Sequence, residues 1–364
     1  MSAAKKPVNK PNTKKSQKFG AIIKIIAILL VPFLAIKNRM TKYLSRRPHR
    51  SFRPTRRRDY VRTLKLPGYF AFTKHVRQTL WKNRKTFLIL ALVYIILTAL
   101  MVGIASQDVY GNLVDTFNAT SGDGFGGILG EVGKAGLLFV STATGGLSGS
   151  LSEAQQIFGG LIILMAWLTS VWLLRNILAG HKVKFRDGLY NAGAPILPTL
   201  LVALILIIQL IPAALALIGF GAASSTGFLN GGIEAMLFWV VAGLLLMISL
   251  YFITSTIFAL IIVTLPGTYP FAAIKMAGDL MIGRRIKILL RLLWLIVGVV
   301  FTWAIIMIPI IIFDGWLKLT FSAIDWLPII PVFILALGSL TVIWASSYVY
   351  LLYRKVIEDE SDPA

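Results

Sequence analysis

The residues in this chain best suited to chemistry are arginines. From Arg46 to Arg62 it reads RRPHRSFRPTRRRDYVR, eight arginines against one acid, Asp59. A guanidinium is a permanent cation whose planar donors match phosphate oxygens two at a time. Pro48 and Pro54 hold the residues before them extended, so the run reads as a strap laid along a phosphate-bearing surface. Arg46, Arg47, Arg50, Arg53, Arg56, Arg57, Arg58 and Arg62 are its headgroup-binding candidates. Three surfaces suit such a strap: an anionic leaflet, a nucleic acid whose bases stack on Phe52 and Tyr60, and an acidic protein. The leaflet is preferred. The strap runs on into RTLKLPGYFAFTKHVRQTLWKNRKTF, where Leu64, Leu66, Tyr69, Phe70, Phe72, Val76, Leu80 and Trp81 supply apolar anchors. From Phe70 onward their spacing fits a helix lying in the interface. Each basic residue near an anionic leaflet contributes ~1 kcal/mol.

Other reactive constellations fail on spacing. His49, His75 and His181 all lie in basic segments, and none is spaced with another histidine or an acid as metal ligands are. GDGFGG at 122–127 neither follows a strand nor precedes the Lys-Ser/Thr of a phosphate loop. The absence of cysteine removes disulfides, thiolate metal sites and a cysteine nucleophile. No catalytic residue, cofactor or metal is expected, and the chain reads as non-enzymatic.

The elements that must carry these arginines are membrane helices. Of 364 residues, 57% are hydrophobic and 14% charged, against about 25% charged in soluble domains. Mean hydropathy is +0.77. Six apolar runs are long enough for one crossing, which needs roughly 20 residues: Phe87–Ala105, Ile157–Leu178, Ala194–Phe220, Ala235–Leu265, Ile286–Phe313 and Leu327–Tyr353. The expected fold is therefore all-α: a polytopic membrane protein of six transmembrane helices, preceded by an N-terminal interfacial amphipathic helix and a basic arm.

Charge sets the orientation. Residues 1–85 hold 24 of the 37 Lys and Arg and one of the 15 acids. With the N-terminus inside, the outer loops 106–156, 221–234 and 314–326 contain Lys134 and Lys318 against eight acids. The inner connections carry Lys182, Lys184, Arg186, Lys275, Arg284, Arg285 and Lys287, as the positive-inside rule requires. A shorter run, Gly20–Ile36, is interrupted by Lys24 and Pro32. Making it a span places a basic flank outside, so it is assigned to the inner interface. The organisation is then a disordered basic tail (1–19), an interfacial helix and basic juxtamembrane arm (20–85), a six-helix transmembrane domain (86–355) and an acidic tail (356–364). The location is the inner, cytoplasmic membrane with both termini cytoplasmic. Trp81, Trp316 and Trp326 fall at span ends, where amphipathic rings favour headgroups; Trp167, Trp303 and Trp344 fall inside spans and pack between helices. The outer loop 106–156 holds 11 glycines and a short amphipathic candidate, Ile128–Val140.

Ionisable or amide side chains inside spans are functional candidates by default. Arg291 and Gln209 are the candidates for a permeation path; Arg291 alternatively snorkels to the inner surface with Asp279 as partner, and Gln209 alternatively hydrogen-bonds between helices. Arg175 snorkels near the end of the second span. Arg284, Arg285 and Lys287 are headgroup candidates. No Asp, Glu or His lies at mid-membrane, which argues against an ion-coupled transporter.

LPGTYPFAAIKMAGDLMIGRRIKILLRLLWLIVGVV, Leu265–Val300, reads as a turn at Pro266-Gly267, an amphipathic elbow helix from Pro270 to Ile282, and a Gly283-Arg284-Arg285 corner into the next span. Proline suits a first helical position and glycine a helix stop. This stretch resembles the six-helix bacterial membrane-protein families that include the glycerophosphodiester phosphodiesterase membrane domain. Pro270, Ala273-Ile274, Lys275 and Gly283-Arg284 carry the match, while Gly278 and Pro266 depart from it. KVKFRDGLYNAGAPIL, Lys182–Leu197, is a weaker copy. The resemblance implies a membrane module without catalysis of its own. The leading expectation is a lipid-organising protein or subunit of a membrane assembly, its partners anionic lipid and a second membrane protein or second copy. The alternatives are a transporter or channel for a small or lipidic solute, and a tether for nucleic acid or ribosomes.

Overall fold

A computed structural model describes residues 66–103, 152–226, 228–321 and 326–361. The tail 1–19, the element at 20–36, the arginine strap and the candidate helix Ile128–Val140 lie outside the described residues. Everything described falls in the unit Arg62–Ala364.

The described residues are helical, and six of the helices are long and apolar enough to cross a membrane: α2 (Arg84–Met101), α3 (Glu153–Leu178), α5 (Ile196–Ser225), α6 (Gly232–Ile262), α8 (Arg285–Thr320) and α9 (Ile329–Ser361). The chain is an all-α, multi-pass membrane protein. Helix is what such sequences adopt in lipid, because every backbone N–H and C=O must find its partner within the segment. Three short helices, α1 (Tyr69–Lys82), α4 (Phe185–Ala192) and α7 (Pro270–Leu280), stand before α2, α5 and α8. The repeated unit is thus an elbow followed by two spans, used three times. Among the described residues two candidate spans separate successive elbows, which places all three on one face of the bundle, the elbow face.

Each elbow docks through two residues four apart, one turn of a helix. These are Phe72 and Val76 in α1, Gly188 and Ala192 in α4, and Ala273 and Ala277 in α7, all buried. Each leaves aromatic rings exposed on its other side: Phe70 and Trp81, Tyr190, and Tyr269 and Phe271. This is the amphipathic pattern of a helix lying at a membrane interface. At Gly188 the packing demands glycine, since a Cβ would come within 2.9 Å of Leu173 on α3. At the α7–α8 corner Gly283 has φ +75°, a conformation that costs other residues roughly 1–2 kcal/mol.

Helices α2, α3, α8 and α9 form the packed centre, through Tyr94, Leu173, Trp303 and Tyr348 among others. The hairpin α5–α6 stands beside it. Only 6% of its spanning windows is buried, against 22–39% in the other four, so most of its apolar surface faces outward. Its two arms are joined by polar contacts. The Thr256 hydroxyl donates to Gln209 Oε1 at 2.7 Å. Pro212 lies inside α5, and the Ala213 N–H donates to Ser249 Oγ on α6 at 3.1 Å. A neighbouring hydroxyl thereby satisfies a backbone group beside the proline. Tyr94 and Thr169 join α2 to α3 at 2.9 Å, and Trp303 donates to Thr341 of α9 at 2.9 Å. Trp81, Trp316 and Trp326 are exposed, while Trp303 is buried.

Boundaries shift outward. Helix α2 begins at Arg84, and α3 begins at Glu153 behind a Ser152–Gln155 capping box. Helix α9 continues through the expected acidic tail to Ser361. Val356 is fully buried and Asp359 pairs with Arg284, so tertiary contacts carry the helix past the end of its apolar run.

Candidate lipid-facing site on the elbow face

The basic side chains of the elbow face fall into three environments. The first is a buried ion pair. Arg284 Nη2 donates to Asp359 Oδ2 at 2.7 Å, with the two side chains 2% and 14% exposed. Arg284 Nη1 also reaches the Val356 carbonyl at 3.4 Å. This corrects the expectation that Arg284 meets headgroups: its charge is spent inside the protein, fastening the α7–α8 corner to the end of α9. Arg285 is half-buried. Its guanidinium stacks 3.7 Å from the Tyr251 ring and donates to the Tyr251 carbonyl at 2.6 Å. Lys287 is exposed, the member of this trio whose placement suits a headgroup.

The second environment is an aromatic cage. Arg291 is 6% exposed. It donates to the Pro67 carbonyl, and its guanidinium lies 4.2 Å from the Tyr69 ring and 5.8 Å from that of Phe72. Cation–π contacts strengthen when desolvated, to ~2 kcal/mol. Around it, Trp294 meets Tyr69 and Phe70 at 5.5 and 4.9 Å and donates to the Thr73 hydroxyl at 3.1 Å. Phe72 packs edge-on against Tyr348 at 4.9 Å. Arg291 therefore neither snorkels nor pairs with Asp279. It clamps the start of α1 to α8 and α9, because α1 offers a carbonyl and two ring faces closer than water. That placement also removes it from a permeation path.

The third environment is open. Arg175, in the last turn of α3, donates Nη1 to the Thr264 carbonyl at 3.1 Å and Nη2 to the Thr264 hydroxyl. It reaches sideways to the end of α6 rather than outward. Beside it lies a cavity of about 390 Å³, bordered by Trp172, Asn191, Pro195, Pro198 and the turn Leu265–Thr268. Gly267 holds that turn at φ +75°.

The two arginine contacts share a signal that was present in the sequence and passed unread. Leu66-Pro67-Gly68 precedes Tyr69 at the head of α1, and Leu265-Pro266-Gly267 precedes Tyr269 at the head of α7. An arginine from another helix grips the backbone at or beside each Leu-Pro-Gly turn.

Gln209 is half-buried and accepts from Thr256. Of the two roles its position allowed, the geometry supplies the interhelical hydrogen bond. The strap residues Arg46, Arg47, Arg50, Arg53, Arg56, Arg57, Arg58 and Arg62 lie outside the described residues. Among the described residues no cluster of three or more His, Asp or Glu has the arrangement of a metal site. Comparison with protein-family models, with curated proteins and with solved structures yields no match.

Proposed function

We propose that the chain is a non-enzymatic membrane protein that organises anionic lipid at the inner leaflet of the cytoplasmic membrane, with its elbow face and both termini cytoplasmic. One observation carries the reading: Arg291 and Trp294 clamp residues 67–73 to the bundle. The arginine strap ends at Arg62, five residues before Pro67 in the sequence. The exposed aromatic rings of α1, α4 and α7 suit the headgroup zone of that face. The elbow preceding a pair of spans is also the pattern behind the resemblance to the glycerophosphodiester phosphodiesterase membrane-domain families. We extend that resemblance to all three elbows and read the chain as a membrane module or assembly subunit of that kind.

The test is the lipid that the full chain retains. The protein is purified from membranes of mixed phosphatidylglycerol and phosphatidylethanolamine, and its bound lipid is quantified by mass spectrometry. Enrichment of the anionic lipid is expected. It should fall severalfold when the eight strap arginines are changed to glutamine, given ~1 kcal/mol per engaged residue. Equal lipid ratios in the two proteins, or labelling of the strap by an impermeant reagent outside intact cells, would overturn the reading.

A further inference from the structure

We propose that the cavity beside Arg175 is a binding pocket for a phosphate ester. The inference goes beyond the strap and does not depend on it. Four observations support it.

The guanidinium carries a full charge, yet the partners it holds are neutral. Thr264 supplies a carbonyl and a hydroxyl, and the phenols of Tyr350 and Tyr353 lie close by. Among the described residues no carboxylate pairs with Arg175. Charges within membrane segments are usually paired, and Arg284 on the same face shows the paired arrangement. Five N–H donors belong to an arginine; Thr264 takes two and the Tyr350 phenol engages a third, leaving two for a further acceptor.

The space is the right size. About 390 Å³ sits at the small end of the ~300–1,000 Å³ range of ligand sites, enough for a headgroup or a small phosphorylated solute.

The lining is mixed in the way such a group requires. Arg175, Asn191, Thr264 and Thr268 border it as polar residues, and Trp172 and Pro198 supply apolar wall. The Thr264 and Thr268 hydroxyls donate to the Ile261 and Ile262 carbonyls at 2.7 and 2.9 Å, so their protons are committed and the charge facing an anion is that of Arg175.

The depth fits. From Glu153 to Arg175 helix α3 rises about 33 Å at ~1.5 Å per residue, close to the ~30 Å of bilayer hydrocarbon. With Glu153 at one interface, Arg175 reaches the other.

Arginine binds carboxylates as well as phosphates; phosphate is favoured because this level of a bilayer is where lipid phosphates lie. The same chemistry arises from a lipid headgroup or from a soluble phosphate ester, and the test separates them. The full chain, purified in neutral detergent, is titrated by calorimetry with dioctanoyl phosphatidylglycerol, with glycerol 3-phosphate, and with dioctanoylglycerol as the uncharged control. Four proteins are compared: wild type, Arg175→Gln, Ala194→Trp, which fills the cavity and leaves Arg175 in place, and the triple variant Arg56→Gln, Arg57→Gln, Arg58→Gln. Saturable binding of at least one phosphate probe is expected, with none of dioctanoylglycerol. It should weaken about tenfold or more in Arg175→Gln, as loss of a charge-assisted hydrogen bond implies, and comparably in Ala194→Trp, while the strap variant binds as wild type. Binding of phosphatidylglycerol but not glycerol 3-phosphate identifies a lipid site; the reverse identifies a soluble ligand; binding of both supports the pocket and leaves the phosphate group itself as the determinant. Binding undiminished by Ala194→Trp, binding lost only in the strap variant, or no phosphate-specific binding would each overturn the pocket. Because strap and cavity are varied separately, failure of one reading is distinguishable from failure of the other.

Discussion

The two Leu-Pro-Gly turns use the same residue type to opposite ends. At the head of α1, Arg291 is enclosed: Tyr69 and Phe72 present ring faces, the Pro67 carbonyl takes a hydrogen bond, and Trp294 closes the outside. At the head of α7, Arg175 is held from one side by Thr264 and borders a cavity on another. The aromatic enclosure replaces water with quadrupole attraction. The hydroxyl-and-carbonyl seat satisfies part of the guanidinium and leaves donors over. An arginine near the end of a membrane helix is thus a fastening or a receptor according to what the neighbouring elbow brings to it. Arg284, matched by Asp359, marks the case paired with a carboxylate.

Three measurements break or sharpen this contrast. The largest effect is expected at the carboxylate pair. Asp359→Asn leaves Arg284 buried without its carboxylate, and loss of one partner of a buried pair costs ~3 kcal/mol or more. Titration of the purified chain with sodium dodecyl sulfate should show a clearly lowered unfolding midpoint. An unchanged midpoint would mean that Arg284 needs no counter-charge, and the contrast with Arg175 would lose its reference.

An intermediate effect is expected at the enclosed arginine. Arg291→Gln removes the cation from the cage and about 1–2 kcal/mol of docking for α1. Since each 1.4 kcal/mol is tenfold, hydrogen-exchange protection of the α1 amides should fall about tenfold. Binding of phosphate esters beside Arg175 should stay as in wild type. Loss of that binding would show the two turns to be coupled rather than independent.

The smallest effect is expected away from both turns. Thr256→Val removes the donor to Gln209, a contact of the interhelical class worth ~0.6 kcal/mol in membranes. A slight fall in the same midpoint, with no change in solute flux across reconstituted vesicles, fits a structural tie. A large change in flux would return Gln209 to a permeation path.

Much of the architecture was legible because the bilayer imposes lengths. The six apolar runs became six long helices, with ends displaced by up to eight residues, the most at the end of α9. The elbow expected at Pro270–Ile282 is α7, and its weaker copy at Lys182–Leu197 contains α4. The helix expected from Phe70 onward is α1. The site was less legible. Arg284, Arg285 and Lys287 sit side by side in the sequence, yet one is buried against Asp359, one stacks on Tyr251 and one is exposed. Charge and place in the sequence are alike for all three, and the neighbours each meets distinguish them. Gln209 was readable as a path or a tie, and Thr256, distant in sequence, chose.

What the sequence determined by itself is whatever depends on length and local period: the number of spans, the elbows between them, and the segregation of charge to one set of connections. What the tertiary structure alone decided is the fate of each charge. An arginine is enclosed, paired or left with donors to spare according to side chains tens to hundreds of residues away, as Pro67 is from Arg291 and Thr264 from Arg175. Hydropathy is summed along the chain, whereas the compensation of a charge is settled across space.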